Sequence, residues 1–382
     1  CADHTRMNPW VWERKYEVDS LAFFLFFLEA YFRQTKDRTV LTETVVYAVQ
    51  AVLEVWRTEQ KHAECSSYRF ERDSPLKTET LSNGGRGTPV GYTGMTWSGF
   101  RPSDDACEMH YLIPANMLAV SVLNRLQELP LPDAILKSAK TLAWEIDSGI
   151  QKFGVVEHPR YGRIYAYEVD GLGNYVLMDD ANLPSLLGAP WYGYCQPEDA
   201  IYKNTRRFLL SKDNPYYFRG KFGAGIGSQH TRKGYIWPIA LAVQGLTATS
   251  LEEKKKILAM LFSTTADTYH MHESFDANDP AHFTRAWFAW ADSMLCLLVQ
   301  QIYKLWRTLC AAAMPFGARK RFSSQKGDRQ NGAIQKTEDC FHDNTGTEPR
   351  LVHPAVYARR LGNKDKCPLQ RAACDARGKT GA

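Results

Sequence analysis

Apolar residues recur at helical spacing through most of the first 303 positions. From Val18 to Arg33 the run LAFFLFFLEAYF carries an apolar face, and in Leu41–Arg57 residues Val45, Val46, Ala48, Val49, Val52, Leu53 and Trp56 keep the 3.6-residue period. The same pattern predicts helices from Ser103 to about Leu129, kinked at Pro114, from Asp133 to Ile150, over 198–211, over Ile239–Ala248 and Leu251–Tyr269, and from Thr284 to Tyr303. One segment departs from it. Gly162–Val169 alternates, Asp170-Gly171-Leu172-Gly173-Asn174 turns, and Tyr175–Met178 resumes, which predicts a hairpin. The fold class is therefore all-α with a small β-hairpin insertion. Polar, aromatic segments recur where helices begin: Glu13–Asp19, Trp97–Asp105, Asp179–Asp180, His230–Trp237 and Glu273–Arg285. In a ring of paired helices every second connection opens on one face, so these segments could converge there.

Periodicity fades after about Met314. From residue 304 onward Lys and Arg exceed Asp and Glu by nine, so the first 303 residues carry a net charge of −4 within a total of +5. Residues 1–303 are read as the folded domain and 304–382 as a basic, poorly ordered tail. A cationic tail behind an acidic body argues against nucleic acid as a partner. With 382 residues, 44% of them hydrophobic and 12% aromatic, the chain can bury a large core, either as one helical barrel or as two or three domains. No run of 18 apolar residues suggests a membrane span. The nine cysteines include no Cys-x-x-Cys pair, which disfavours a zinc site or a disulfide framework. The chain starts at Cys1, with no initiator Met or leader pattern, and no Asn-x-Ser/Thr acceptor occurs, so the compartment is left open.

The candidate chemistry concentrates in Gly94–Met117. Ser103 has the character of an N-cap, which would put Asp104 and Asp105 in a first helical turn, where the dipole favours carboxylates. Trp97, Phe100 and Arg101 stand just before them. Rings for an apolar sugar face beside paired acids are the equipment of a carbohydrate site, although a capped helix with solvated acids would read the same way. The glycines of Lys221–Pro238 lack Gly-Lys-Ser/Thr and a preceding buried strand, so this segment is read as a rim bearing His230, Arg232 and Trp237 rather than a phosphate loop. His270-Met271-His272-Glu273 fits neither His-Glu-x-x-His nor a helical i, i+4 pair. No metal or other cofactor is expected, and Glu273 suits a general base better than a ligand.

The segments KYEVDSLA, TWSGFRPSDDA with YLIPANM, MDDANLPSLLG, GIGSQHTRKGYIWPIAL and MHESFDANDPAHFTRAWFAWAD, in this order, resemble glycoside hydrolase family 125 over about residues 9–303. The resemblance implies an (α/α)6 barrel and an inverting exo-acting α-mannosidase that removes non-reducing α-1,6-linked mannose without a metal. It assigns the general acid to Asp104 or Asp105, with Asp104 favoured slightly, and the general base to Glu273. It also implies sugar contacts by Trp97, Arg101, Asp179, Asp180, His230, Trp237 and Arg285, with Asp19 as a weaker addition. Inversion requires the two carboxyls to stand ~6.5–9.5 Å apart with a water between them. The partner is a mannose-containing oligosaccharide and the protein is expected to act as a monomer. The family's early Trp-Leu-Arg-Asp motif is absent, which implies an incomplete ring, and the tail matches nothing in the family. A catalytically impaired mannan-binding protein and an inverting α-glucosidase are the alternatives.

Overall fold

The computed structural model describes residues 3, 4, 7 and 9–313, with side chains described as far as residue 308. Its longer helices are α1 (Val18–Thr35), α2 (Glu43–Glu59), α3 (Ile113–Arg125), α4 (Asp133–Gly149), α5 (Ala200–Leu209), α6 (Pro238–Thr247), α7 (Leu251–Ser263) and α8 (Ala289–Ala313). They fall into two kinds. α3 is buried at every position from Ile113 to Leu123 and α6 at nine of its ten positions, as befits helices that are apolar all round. By contrast α4 buries one stripe, Ile135, Ala139, Leu142, Ala143 and Ile146, and leaves Trp144 exposed.

α1 and α8 bury one stripe as well, and they flank the two helices that are buried all round. α1 lies against α3, the short turn Ala189–Tyr192 bridges α3 and α6, and α6 packs on α8. Behind this inner row, α4 backs α3 and α2, and α7 backs α6 and α8. Phe23 of α1 meets Trp290 of α8 edge to face at 6.2 Å. The connections that enter α1, α3, α6 and α8 consequently meet at the same end of the inner row. Gly149 at the end of α4 permits close approach to the strand-like segment at Met95: a Cβ there would stand 2.5 Å from the Thr93 carbonyl.

The β content exceeds the single hairpin expected. Ten short strands form four small sheets among the described residues. The Asp170–Asn174 turn does join Glu168–Val169 to Tyr175–Val176, and Tyr111–Leu112 extends that pair to three strands. Gly162–Tyr165, however, pairs backwards with Val155–His158.

Three expected helix starts are corrected. α3 begins at Ile113 rather than Ser103, and Pro114 opens it instead of kinking it, since its absent N–H is one that a first turn leaves without an intrahelical acceptor. Asp179 and Asp180 precede no helix; they lie in an irregular loop around a cis Leu183–Pro184 bond. The helix expected from Thr284 starts at Ala289, because Asp279–Thr284 pairs with Ser274–Asp276. The tail boundary expected at 303 falls inside α8, and residues 314–382 lie outside the described residues.

Candidate active site

Four entering segments build the site. The first is the approach to α1. The Tyr16 carbonyl accepts from the main-chain N–H groups of Gly99 and Phe100, both at 3.0 Å, and Ser98 Oγ accepts from the Val18 N–H at 3.3 Å. These bonds tie the α1 start to the second segment, the turn 99–107. There Arg101 N–H donates to the Asp105 carbonyl at 2.8 Å, Asp104 N–H to the Arg101 carbonyl at 2.9 Å and Cys107 N–H to the Gly99 carbonyl at 3.0 Å. Asp104 and Asp105 sit at the tip of that turn. Asp104 adopts a left-handed φ of 65° and is exposed, whereas Asp105 is buried. Asp tolerates this conformation better than most residues, and non-glycine positions held there concentrate at functional sites.

The third segment is the rim before α6. His230 Nδ1 lies 3.8 Å from Asp105 Oδ1, and this neighbouring carboxylate raises the imidazole pKa against the opposing effect of burial. Glu273 and Asp104 add to the rise through their charge, so His230 sits within the field of all three acids. The fourth segment is the hairpin before α8. Glu273 precedes its first strand and Arg285 follows its second, and the pairing brings Arg285 Nε to 3.1 Å from Glu273 Oε1. Glu273 is 6% exposed while the Arg285 side chain is 63% exposed. His272 faces the other way: it stacks on Phe283 at 3.9 Å and bonds the carbonyls of Ala286 and Thr265.

The structure thus draws together Asp104, Asp105, His230, Glu273 and Arg285. Asp19 joins them from the first turn of α1. It is 5% exposed, its Oδ1 has no hydrogen-bond partner, and burial, then the charges of Glu17 and Asp104, push its pKa well up. Glu17, which the sequence reading passed over, stands beside it; burial raises its pKa to about 7.

The remaining expected sugar contacts are placed differently. Trp97 is fully buried, its indole stacked between the His62 ring at 3.7 Å and the His110 ring at 4.6 Å, so it offers no face to a sugar. Burial holds His110 near pKa 4, a neutral ring whose Nε2 accepts from the Thr88 N–H. Trp237 is buried too and donates from Nε1 to Thr231 Oγ1 at 2.9 Å, fastening the rim. Arg101 pairs inside the protein with Glu168, which also accepts from the main-chain N–H groups of Glu108 and Met109. Asp179 accepts from the Leu186 and Leu187 N–H groups at 2.9 Å each, and burial outweighs these donors to bring its pKa to about 8. Asp180 receives Ser228 Oγ–H at 2.7 Å and so anchors the rim two residues before His230. All five side chains are buried among partners inside the protein. Glu168 and Ser228 were missed by the sequence reading, and only their partners could have revealed them.

Among the described residues no cluster of three or more His, Cys, Asp or Glu side chains is arranged to hold a metal ion. What the site offers is an accessible carboxyl at a turn tip and a second carboxyl beside a hairpin, both within the field of one histidine, with an arginine paired to the second. Such a pair can protonate a leaving group and activate a water.

The chain is similar to known proteins over most of its length. The Schizosaccharomyces pombe meiotically up-regulated gene 157 protein is 40% identical over 302 residues, covering 76% of this chain and 59% of the yeast protein. The chain therefore spans less than two thirds of that relative's length. A Streptococcus pneumoniae structure, described as a metal-independent alpha-mannosidase in a non-productive complex with alpha-1,6-mannobiose, is 47% identical with a TM-score of 0.77, covering 78% of this chain and 72% of that one. Because residues 2–300 match the family described as metal-independent alpha-mannosidase, the chain belongs to glycoside hydrolase family 125.

Proposed function

We propose that the chain is the catalytic part of an inverting exo-α-1,6-mannosidase, with Asp104 as general acid and Glu273 as general base. The observation that carries this reading is the convergence of the 99–107 turn and the 273–285 hairpin on His230, whose ring feels Asp104, Asp105 and Glu273 together. Two carboxyls supplied by separate loops suit inversion, in which one protonates the glycosidic oxygen while the other takes a proton from water on the opposite ring face. Asp104 is assigned as the acid because its side chain is the accessible one, whereas Asp105 is buried against His230. The α-1,6-mannoside substrate is supported by the pneumococcal relative, whose description names alpha-1,6-mannobiose. Two helices buried all round, α3 and α6, each backed by a helix with one buried stripe, support an (α/α)6 barrel, the architecture in which such loops share one end. A mannan-binding protein would need exposed aromatic platforms, and Trp97 and Trp237 are both buried.

Leaving-group dependence tests the acid. On α-1,6-mannobiose Asp104→Asn is expected to lose about 10²–10⁴ in kcat, and on an aryl mannoside whose phenol needs no protonation most of that loss disappears. If Asp105→Asn gives that signature and Asp104→Asn does not, the assignment moves to Asp105. Equal loss on both substrates contradicts an acid role.

A further inference from the structure

Lys15 belongs to none of the groups assigned above. Its side chain is only 4% exposed, yet its ammonium points at the catalytic turn. Nζ donates to the main-chain carbonyl of Asp104 at 2.8 Å, lies 3.4 Å from Glu79 Oε2 and 4.0 Å from Glu13 Oε2, and sits 5.2 Å from the centre of the Phe100 ring. The carboxylates are themselves fixed: Arg72 donates to Glu13 at 2.7 Å and to Glu79 at 3.0 Å.

The consequence falls on Asp104. Its N–H is held by the Arg101 carbonyl at 2.9 Å and its carbonyl by Lys15, so both peptide groups flanking this left-handed residue are pinned. The direction of its Cα–Cβ bond follows from them. A free carbonyl at a turn tip would be solvated and the turn would relax, whereas a buried ammonium with two carboxylate partners has little freedom to let go.

We propose that Lys15 is a positioning residue that aims the Asp104 carboxyl at the glycosidic oxygen by holding the Asp104 main-chain carbonyl. This rests on the reading of Asp104 as the general acid. Displacing a catalytic group by about 1 Å can cost on the order of 10²-fold in rate. Lys15→Met is therefore expected to lower kcat on α-1,6-mannobiose about 10–100-fold with KM within about twofold, and Lys15→Arg, which keeps a donor, to recover most of the rate. Two further readouts separate aiming from general support. The loss should shrink on an aryl mannoside with a good leaving group, and on an Asp104→Asn background Lys15→Met should add less than about twofold.

If Lys15→Met does not fold by circular dichroism, Lys15→Gln takes its place, because it keeps a polar head among the carboxylates but is too short to reach the carbonyl. A folded Lys15 variant with unchanged kcat, or one that loses equally on both substrates, overturns the proposal. Asp104→Asn with full activity would instead overturn the acid assignment on which it depends, so the two failures are distinguishable.

Discussion

The buried Arg101–Glu168 pair makes the sharpest test of how the site is held. Both side chains are fully buried, Glu168 Oε1 faces Arg101 Nε, and Oε2 accepts from the Glu108 and Met109 N–H groups at 2.7 and 2.8 Å. Glu168→Gln removes the buried charge that compensates Arg101, leaving it only the exposed Glu108 carboxylate at 3.4 Å, and turns an amide NH₂ toward a donor on one side or the other. Breaking such a pair costs about 3–5 kcal/mol. Arg101→Met leaves Glu168 as the uncompensated charge and should cost a similar amount. The double variant differs from the sum of the two. With Arg101 gone, the carbonyl of the substituted amide can accept from both N–H groups and no buried charge is left without its partner. The double variant is thus expected to be no less stable than either single, a coupling of at least about 3 kcal/mol. Denaturant unfolding of the four proteins measures it. Additive losses, or a Glu168→Gln cost below about 1 kcal/mol, would refute the reasoning. KM of the double variant for mannobiose should stay near that of the parent, since Arg101 touches no sugar in this account.

Other consequences are equally direct. Trp97→Ala should destabilise the protein by about 3–5 kcal/mol, by emptying the slot between His62 and His110, while leaving KM little changed; a selective rise in KM in a stable variant would restore Trp97 as a sugar contact. The His230 imidazole, followed by NMR, should titrate above 6.5 in the parent and move down in Asp105→Asn. Its ion pair with Asp105 contributes stability that is complete below about pH 6.5 and fades as pH rises through the raised value. Gly149→Ala should destabilise despite the better helix propensity of Ala, because its Cβ would meet the Thr93 carbonyl at 2.5 Å; a rise in melting temperature would contradict the packing described.

The sequence carried the helices well where one apolar stripe faces inward, as in α2, α4 and α7, because burial on one side leaves a period that can be read without the fold. It carried the site less evenly. Asp104, Asp105, His230, Glu273 and Arg285 were legible as acids, a histidine and an arginine near the starts of inner helices, and they do meet. The local form of Ser103–Asp105 was misread because a capping pattern and a tight turn share the same residues. The choice between them is made by the turn's own main-chain bond from Arg101 to Asp105 together with the tertiary bond from Gly99 to Tyr16. Trp97 was assigned to the sugar because nothing near it in the chain announces His62 and His110. Lys15 and Glu17 stood inside the KYEVDSLA segment but gained meaning only when that segment was laid against the turn. The strands that build the Glu273–Arg285 hairpin went unread, and the helix after them was started at Thr284 rather than Ala289, since the aromatics from Trp287 to Trp290 extend its apolar pattern backwards.

The most direct measurement is mannose release from α-1,6-mannobiose by this chain beside its Glu273→Gln form, with the anomer of the first product followed by NMR. The parent is expected to release β-mannose, because attack of water inverts the centre, and Glu273→Gln to turn over about 10²–10⁴-fold more slowly at unchanged fold. Release of α-mannose, or equal turnover by the two proteins, would contradict this mechanism.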